Sequence, residues 1–230
     1  MKITNLDNAN LDNALRNAVL FASKDTTLPV LCAVQFAVRG GELVLTATDR
    51  YMLAFAHVER RGDDTTKVHA PGSFLLSTAD AKDLLTALKW TRGAGARVDV
   101  HVVDIEHDAE SGRVTFRMEW GQIERTYRTV EGNYPSVLGL FPATADKGHD
   151  SEWGLTPKIA KVLGALKDYR ETPSLQPHLR FSPALEPAKP LPFKLGGWLR
   201  GLVMPVRLND SDDELKPAWV TDVNTTAEVA

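Results

Sequence analysis

The stretch HVVDIEHD, residues 101 to 108, mixes His, Asp and Glu within eight positions. That is the composition of a metal site. The apolar residues between them alternate as in a strand, however. His101, Val103 and Ile105 fall on one face, and Val102, Asp104 and Glu106 on the other, which splits the ligands. The reading is an exposed strand end, with no metal bound. Asp49 in TATDR has the chemistry of a catalytic carboxylate, but no second carboxylate lies beside it, and a turn role fits better. The single cysteine, Cys32, stands in the apolar run LPVLCAVQF without a partnered histidine, and is read as a buried core thiol. The six histidines are scattered, and no phosphate loop, HExxH or GxSxG occurs. No catalytic residue and no cofactor is assigned, so the expectation is a protein that is not an enzyme.

Three amphipathic segments carry several of the basic residues. DNANLDNALRNAVLFAS (7–23) is helical, with Leu11, Leu15, Ala18 and Ala22 on one face. Asn8 or Asn10 is its cap, and Asp12, Asn13 and Arg16 face elsewhere. STADAKDLLTALKWT (77–91) is a second helix, capped by Ser77 or Thr78 and striped by Ala81, Leu84, Leu85 and Leu88. TPKIAKVLGALKDYR (156–170) is a third, with Thr156 as cap and Pro157 in its first turn. Basic residues lie off each stripe: Arg16 and Lys24; Lys82, Lys89 and Arg92; Lys158, Lys161, Lys167 and Arg170. Lys82 and Lys89 are seven apart, hence on one face.

Each helix follows a short strand (MKITNL, GSFLLS, SEWGLT) and precedes three strand-like runs. RGGE and ESGR supply hairpin turns. The order βαβββ therefore recurs three times at a spacing of about 70 residues. One such unit is too small to stand alone. Units one and two are expected to form a complete domain over 1–142. A third, smaller unit covers 150–208 and a flexible acidic tail 209–230, with the break FPATADKGHD (141–150) between the folded parts. The last run, LRGLVMPVRL, contains Pro205, which removes a backbone donor and suggests an edge or terminal strand.

The bulk properties bound the class. The 230 residues are 43% hydrophobic and 25% charged with a net charge of −3, which describes a globular chain without a global basic signature. One cysteine allows no internal disulfide and suits a reducing, cytoplasmic compartment. MKITNLDNANLDNAL has no apolar core of a secretory signal. No run approaches the roughly 18 apolar residues of a membrane span, so no membrane partner is expected.

Four segments, in order, carry a resemblance. TLPVLCAVQF, LVLTATDRYMLAFAHVE, RTVEGNYPSVLGLFP and LVMPVRL resemble segments of the bacterial DNA polymerase III beta subunit, the sliding clamp. The last is the most specific. The resemblance covers about nine tenths of the chain, as the middle domain of a clamp followed by half of its last domain. It implies an α+β fold of repeated βαβββ units, with antiparallel sheets outside and helices on an inner face. Three departures stand out. There are about one and a half domains instead of three, Arg50-Tyr51-Met52 replaces the usual Gly-His-Arg, and a tail follows residue 208.

The resemblance further implies a processivity factor that encircles duplex DNA as a homo-oligomer. Its inner face would carry Arg16, Lys24, Lys82, Lys89, Arg92, Lys158, Lys161 and Lys167. Lysine suits the task, being a mobile point charge that holds phosphate without reading sequence. The resemblance also implies an apolar pocket at Thr48, Leu53, Pro142, Val203, Met204, Pro205, Val206, Arg207 and Leu208. There a replicative polymerase or clamp loader would dock a short linear peptide. Trp219 in the tail is a candidate docking anchor. The competing expectation is a clamp-like adaptor or decoy that binds such peptides without encircling DNA; a third is an unrelated βαβββ domain.

Overall fold

The computed structural model describes residues 1–59, 66–90, 102–118, 122–140, 154–182 and 189–206. The chain opens with β1 (Lys2–Asp7) and passes directly into α1 (Asn8–Ala18), which tightens into a 3₁₀ turn at Val19–Phe21. The cap of α1 is Asp7, not the expected Asn8 or Asn10: its carboxylate accepts from the Asn10 amide at 2.9 Å. A carboxylate in that place also suits the partial positive charge of a helix N-terminus.

Strands β2 (Ala33–Arg39), β3 (Glu42–Thr48) and β4 (Met52–His57) form a meander, followed by β5 (Lys67–Ala70) and β6 (Ser73–Ser77). Helix α2 (Thr78–Trp90) is capped as expected by Ser77, whose hydroxyl accepts from the Asp80 amide at 3.1 Å. Strands β7 (Val102–Asp108), β8 (Arg113–Met118) and β9 (Ile123–Arg128) make a second meander. The first strands are exchanged. β1 pairs with β7 of the second unit, and β6 pairs with β2 of the first. Neither unit can therefore complete a sheet by itself, which is the physical reason for reading them as one body. β5, which pairs with β1, is an addition that the sequence reading did not contain.

The third unit departs most from expectation. α3 (Pro157–Gly164) is capped by Thr156 with Pro157 in its first turn, but it stops at Gly164 instead of reaching residue 170. Among the described residues, SEWGLT contributes only a bridge between Gly154 and Val206. β10 (Leu179–Phe181), β11 (Leu191–Leu195) and β12 (Leu199–Val203) complete the chain. β12 is not an edge strand. It pairs with β11 on one side and β4 on the other, in the middle of a sheet ordered β10-β11-β12-β4-β3-β2-β6. Pro205 lies two residues beyond its end and removes no ladder bond, which is why the proline argument misplaced the strand. A second sheet is ordered β5-β1-β7-β8-β9.

Gly201 makes the β12 junction possible. It pairs with Phe193 on β11 and with Ala54 on β4, and a Cβ there would collide with the Phe193 ring and the Leu53 carbonyl. The main core takes alternate residues of these strands. Met52, Ala54 and Ala56 join Leu199 and Val203, together with the α1 stripe of Leu11, Leu15 and Ala18. The intervening residues point to the other side of the sheet.

Candidate functional site

The Thr-Asp loop between β3 and β4 is built by its own side chains. The Thr48 hydroxyl donates to the Met52 carbonyl at 2.7 Å. One Asp49 oxygen accepts from the amides of Tyr51 and Met52 at 3.0 and 2.8 Å, and the other accepts from Lys158 Nζ at 2.7 Å. Asp49 is buried and committed to holding the turn and the start of α3. Arg50 occupies a left-handed conformation, φ +80°, where glycine would be at ease.

On the outer side of the β12–β4 junction, Val44, Leu53, Phe55, Val137 and Leu202 form a separate apolar cluster. Val137 reaches it because the segment after β9 crosses the sheet, with the Val130 amide donating to the Leu75 carbonyl on the way. The chain also leaves apolar side chains in solvent: Tyr51 is 58% exposed, Leu140 56%, Val206 40% and Met204 36%. Tyr51 and Met204 are neighbours, since the Met204 amide donates to the Tyr51 carbonyl at 2.8 Å. Val206 is tied by its amide to Gly154 at 2.9 Å. Exposed large apolar side chains beside a buried apolar floor suit the docking of another chain's anchors.

The structure divides the expected pocket residues. Leu53 lines the outer cluster, Met204 and Val206 stand exposed, and Thr48 shapes the loop. Val203 is fully buried in the main core, on the face away from that cluster. A strand alternates, so the residue presented outward is its neighbour Leu202, which the sequence reading missed together with Phe55 and Val137. Pairing β12 against β4 would have revealed Leu202, because Leu202 stands opposite Leu53. Pro142, Arg207 and Leu208 lie outside the described residues, as do residues 209–230 with Trp219.

The inner side of the same junction is polar. Asn13 and Asn17 on α1 are buried, although Asn13 lies off the apolar stripe. They grip the backbone that follows α3. Asn13 accepts from the Tyr169 amide at 2.8 Å. Asn17 donates to the Lys167 carbonyl at 3.0 Å and accepts from the Lys167 amide at 3.2 Å. Arg170 completes the seam with bonds to Asp168 at 2.6 and 2.8 Å, Glu59 at 2.7 Å and Asn10 at 2.8 Å. Burial works against ionisation of Asp168, yet the Arg170 guanidinium, with its amide, holds that carboxyl below its ordinary value. The Asp168 bonds in turn raise Arg170 above its own. A buried polar group without a partner is costly, so these amides specify which backbone may lie here.

The basic residues separate into committed and available groups. Arg16 forms two 2.8 Å bonds with buried Asp12 and stacks over Tyr169 at 5.1 Å. Lys167 lies over the same ring at 4.6 Å. Lys158 is exposed but holds Asp49. Lys24, Lys82 and Lys161 are exposed. Lys89 belongs to α2, and Arg92 lies outside the described residues. Cys32 is only half-buried, in a loop ahead of β2, where its thiol donates to the Asp25 carbonyl at 3.1 Å. Among the described residues no group of three His, Cys, Asp or Glu could hold a metal. In the 101–108 segment, Glu106 pairs with Arg117 at 2.7 Å and Asp104 accepts from the Asn5 amide at 2.8 Å. His101 lies outside the described residues. Nor is any helix of the described residues long and apolar enough to cross a membrane.

Residues 5–136, more than half of the chain, match the family model of the DNA polymerase III beta subunit, central domain. The chain belongs to the DNA polymerase III beta subunit family of sliding clamps. It is 29% identical over 143 residues to the beta sliding clamp of Micrococcus luteus, covering 61% of this chain and 41% of that protein. To the beta sliding clamp of Staphylococcus epidermidis it is 29% identical over 133 residues, covering 57% and 30%. The chain thus spans well under half the length of these relatives. The similarity of fold extends further. The beta subunit of DNA polymerase III from Thermotoga maritima superposes with a TM-score of 0.66 at 17% identity, over 91% of this chain and 66% of the other. The DNA polymerase sliding clamp of Bacillus subtilis gives 0.62 at 16%, over 90% and 64%. The α+β architecture of antiparallel sheets and few helices is the one these structures share.

Proposed function

We propose that this family member is a non-enzymatic processivity factor of the cytoplasm. It would hold duplex DNA without reading sequence, as part of a homo-oligomeric ring, and dock short linear peptides from a replicative polymerase and a clamp loader. Residues 1–142 then act as a complete clamp domain and 150–208 as half of another, joined through β12 and β4. The observation that carries the reading is the apolar cluster of Leu53, Phe55, Val137 and Leu202 at the β12–β4 junction, together with exposed Tyr51 and Met204 at the end of the same strand pair and exposed Val206. A peptide with two apolar anchors would bury them there, and methionine adapts to anchors of different shape. Thr48 shapes the neighbouring loop, and Val203 contributes through its backbone. Pro142, Pro205, Arg207 and Leu208 complete the pocket in this proposal, and Arg207 orients the peptide.

Lys24, Lys82, Lys89, Arg92 and Lys161 are the candidates for phosphate contact, with Lys158, Lys167 and Arg16 secondary because each already has a partner. A few such contacts suit a protein that slides, because each lysine adds affinity in a salt-dependent way without sequence preference. The test has two arms. Retention on closed circular DNA should fall sharply when Lys82, Lys89 and Lys161 are changed to Glu, with folding unchanged. Binding of a fluorescent peptide from the polymerase should fall about tenfold or more in Met204→Asp. A chain that binds the peptide, ignores DNA and is indifferent to the lysine changes is the adaptor. The commitment of Arg16 to Asp12 and of Lys158 to Asp49 favours that second reading.

A further inference from the structure

Three neighbouring strands of the seven-stranded sheet set cations side by side. Arg180 on β10 stands opposite Lys194 on β11, and Lys194 stands opposite Arg200 on β12. Residues opposed in an antiparallel pair share a face. Arg200 is itself opposite Phe55 of the outer apolar cluster, so the three cations form one row on the outer side of the sheet, next to that cluster. At a strand spacing of about 4.8 Å the row is about 10 Å long. It lies on the side away from α1, because Phe193, Leu195 and Leu199, the neighbours of these cations along β11 and β12, enter the main core with the α1 stripe. All three side chains are exposed, and among the described residues none of them makes an ion pair. Like charges directly opposite one another in a sheet are unfavourable. Two such pairs in succession call for a counter-charge.

The chain carries one close by. The described residues end at Val206, and the sequence that follows contains DSDDE, residues 210–214, with four carboxylates in five positions. This run begins four residues beyond Val206 and ends eight beyond it, within about 14 to 28 Å of extended chain. Arg200 precedes Val206 by six residues, about 20 Å of strand at most. The lengths match if the chain turns back across the outer face. Trp219 lies five residues past Glu214, about 17 Å of extended chain, and Met204 is four residues, about 13 Å, from Arg200. The same turn therefore brings Trp219 to exposed Met204 and Tyr51. A phosphate backbone would also suit three cations, but it would have to displace carboxylates that are covalently attached and present at an effective concentration in the millimolar range.

We infer that residues 209–220 fold back on the outer face of their own chain, with Asp210, Asp212, Asp213 and Glu214 against Arg180, Lys194 and Arg200 and with Trp219 at Met204 and Tyr51. The tail is then a built-in competitor for partner peptides, held by a salt-sensitive contact. The competition rests on the proposed docking site. The tail contact does not.

The test uses the full chain. In a Cys32→Ser background, a fluorescent dye on Ser211→Cys reports the tail directly. Its anisotropy should be high at low salt and should fall to that of a free segment at about 0.5 M salt, where charges are screened within a few ångströms. Lys194→Glu with Arg200→Glu should release the dye at low salt. So should the neutral tail made by Asp210→Asn, Asp212→Asn, Asp213→Asn and Glu214→Gln together, which leaves the folded part untouched. The neutral tail should also let a fluorescent polymerase peptide bind about fivefold more tightly, and Trp219→Ala should act in the same direction. A dye equally mobile at both salt concentrations, or unaffected by Lys194→Glu with Arg200→Glu, overturns the inference. So does release of the dye on dilution, which puts the tail on a second copy. Loss of DNA retention in Lys194→Glu with Arg200→Glu, at unchanged dye anisotropy, gives the row to nucleic acid instead. Peptide affinity unchanged by the neutral tail removes the competition. A tail held in place on a protein that binds no peptide sinks the docking reading and leaves the tail contact standing.

Discussion

The junction between the first and third units has two faces built on opposite principles. Inside, α1 holds residues 167–170 with Asn10, Asn13 and Asn17, beside a pair of half-buried Arg170 and buried Asp168. Outside, Leu53, Phe55, Val137 and Leu202 meet without a polar contact among them. The inner face is directional, because the amides of Asn13 and Asn17 bond to defined backbone groups of Tyr169 and Lys167. The outer face is non-directional and ends in exposed Met204, Val206 and Tyr51. The difference teaches a division of labour. Hydrogen bonds fix where the third unit lies, and that leaves the apolar side free to accept a chain from elsewhere.

Several substitutions would separate the two faces. The largest effect is expected from Gly201→Ala. Its methyl group meets the Phe193 ring and the Leu53 carbonyl, so both faces lose register, with about 3 kcal/mol of stability lost on denaturant unfolding. Asn17→Ala acts on the inner face alone. It strips partners from the amide and carbonyl of Lys167, at a cost of about 2 kcal/mol, and should leave peptide affinity within about twofold. If peptide affinity falls in step with stability, the faces are not independent.

The inner face should also carry an acid sensitivity. The Asp168 carboxyl is held below its ordinary value of about 3.9, so its contribution is complete at neutral pH and is lost as pH falls below that value. Melting temperatures of the wild type and Asp168→Asn, compared from pH 7 to pH 3, should differ most at neutral pH and converge in acid. Arg50→Gly relieves a left-handed arginine worth about 1–2 kcal/mol and adds about 0.5–1 kcal/mol of unfolded-chain entropy, leaving a gain of about 0.5 kcal/mol. Met204→Ala should change stability least, by under about 0.5 kcal/mol, while weakening the peptide. A larger loss would show Met204 to be part of the folded junction.

Much of the fold was legible because its signals are local. Ser77 and Thr156 cap the helices as their positions suggest, and the alternation in RVTFRM marks a strand whose Val114, Phe116 and Met118 are buried while Arg113, Thr115 and Arg117 are not. The candidate site was half legible. Leu53 lies in the outer cluster and Met204 and Val206 are exposed, while Val203 turns inward and Leu202 takes the outward place. A one-residue difference reverses the face of a strand, and which phase holds depends on the partner strand, which no local pattern names. The burial of Asn13 and Asn17 was not legible for a related reason. A polar residue off an apolar stripe meets solvent unless another segment satisfies its amide, and that segment is 150 or more residues away.

The sequence by itself determined the strand–helix–meander order of the first two units, the caps of the second and third helices and the family, because each rests on neighbouring residues or on short motifs. Only the tertiary structure decided that β12 runs through the centre of a sheet and that Arg16 and Lys158 are already engaged. These depend on which strand pairs with which and on which charges come together. Such long-range choices are made by the sum of packing across the whole chain, where no single segment carries the signal.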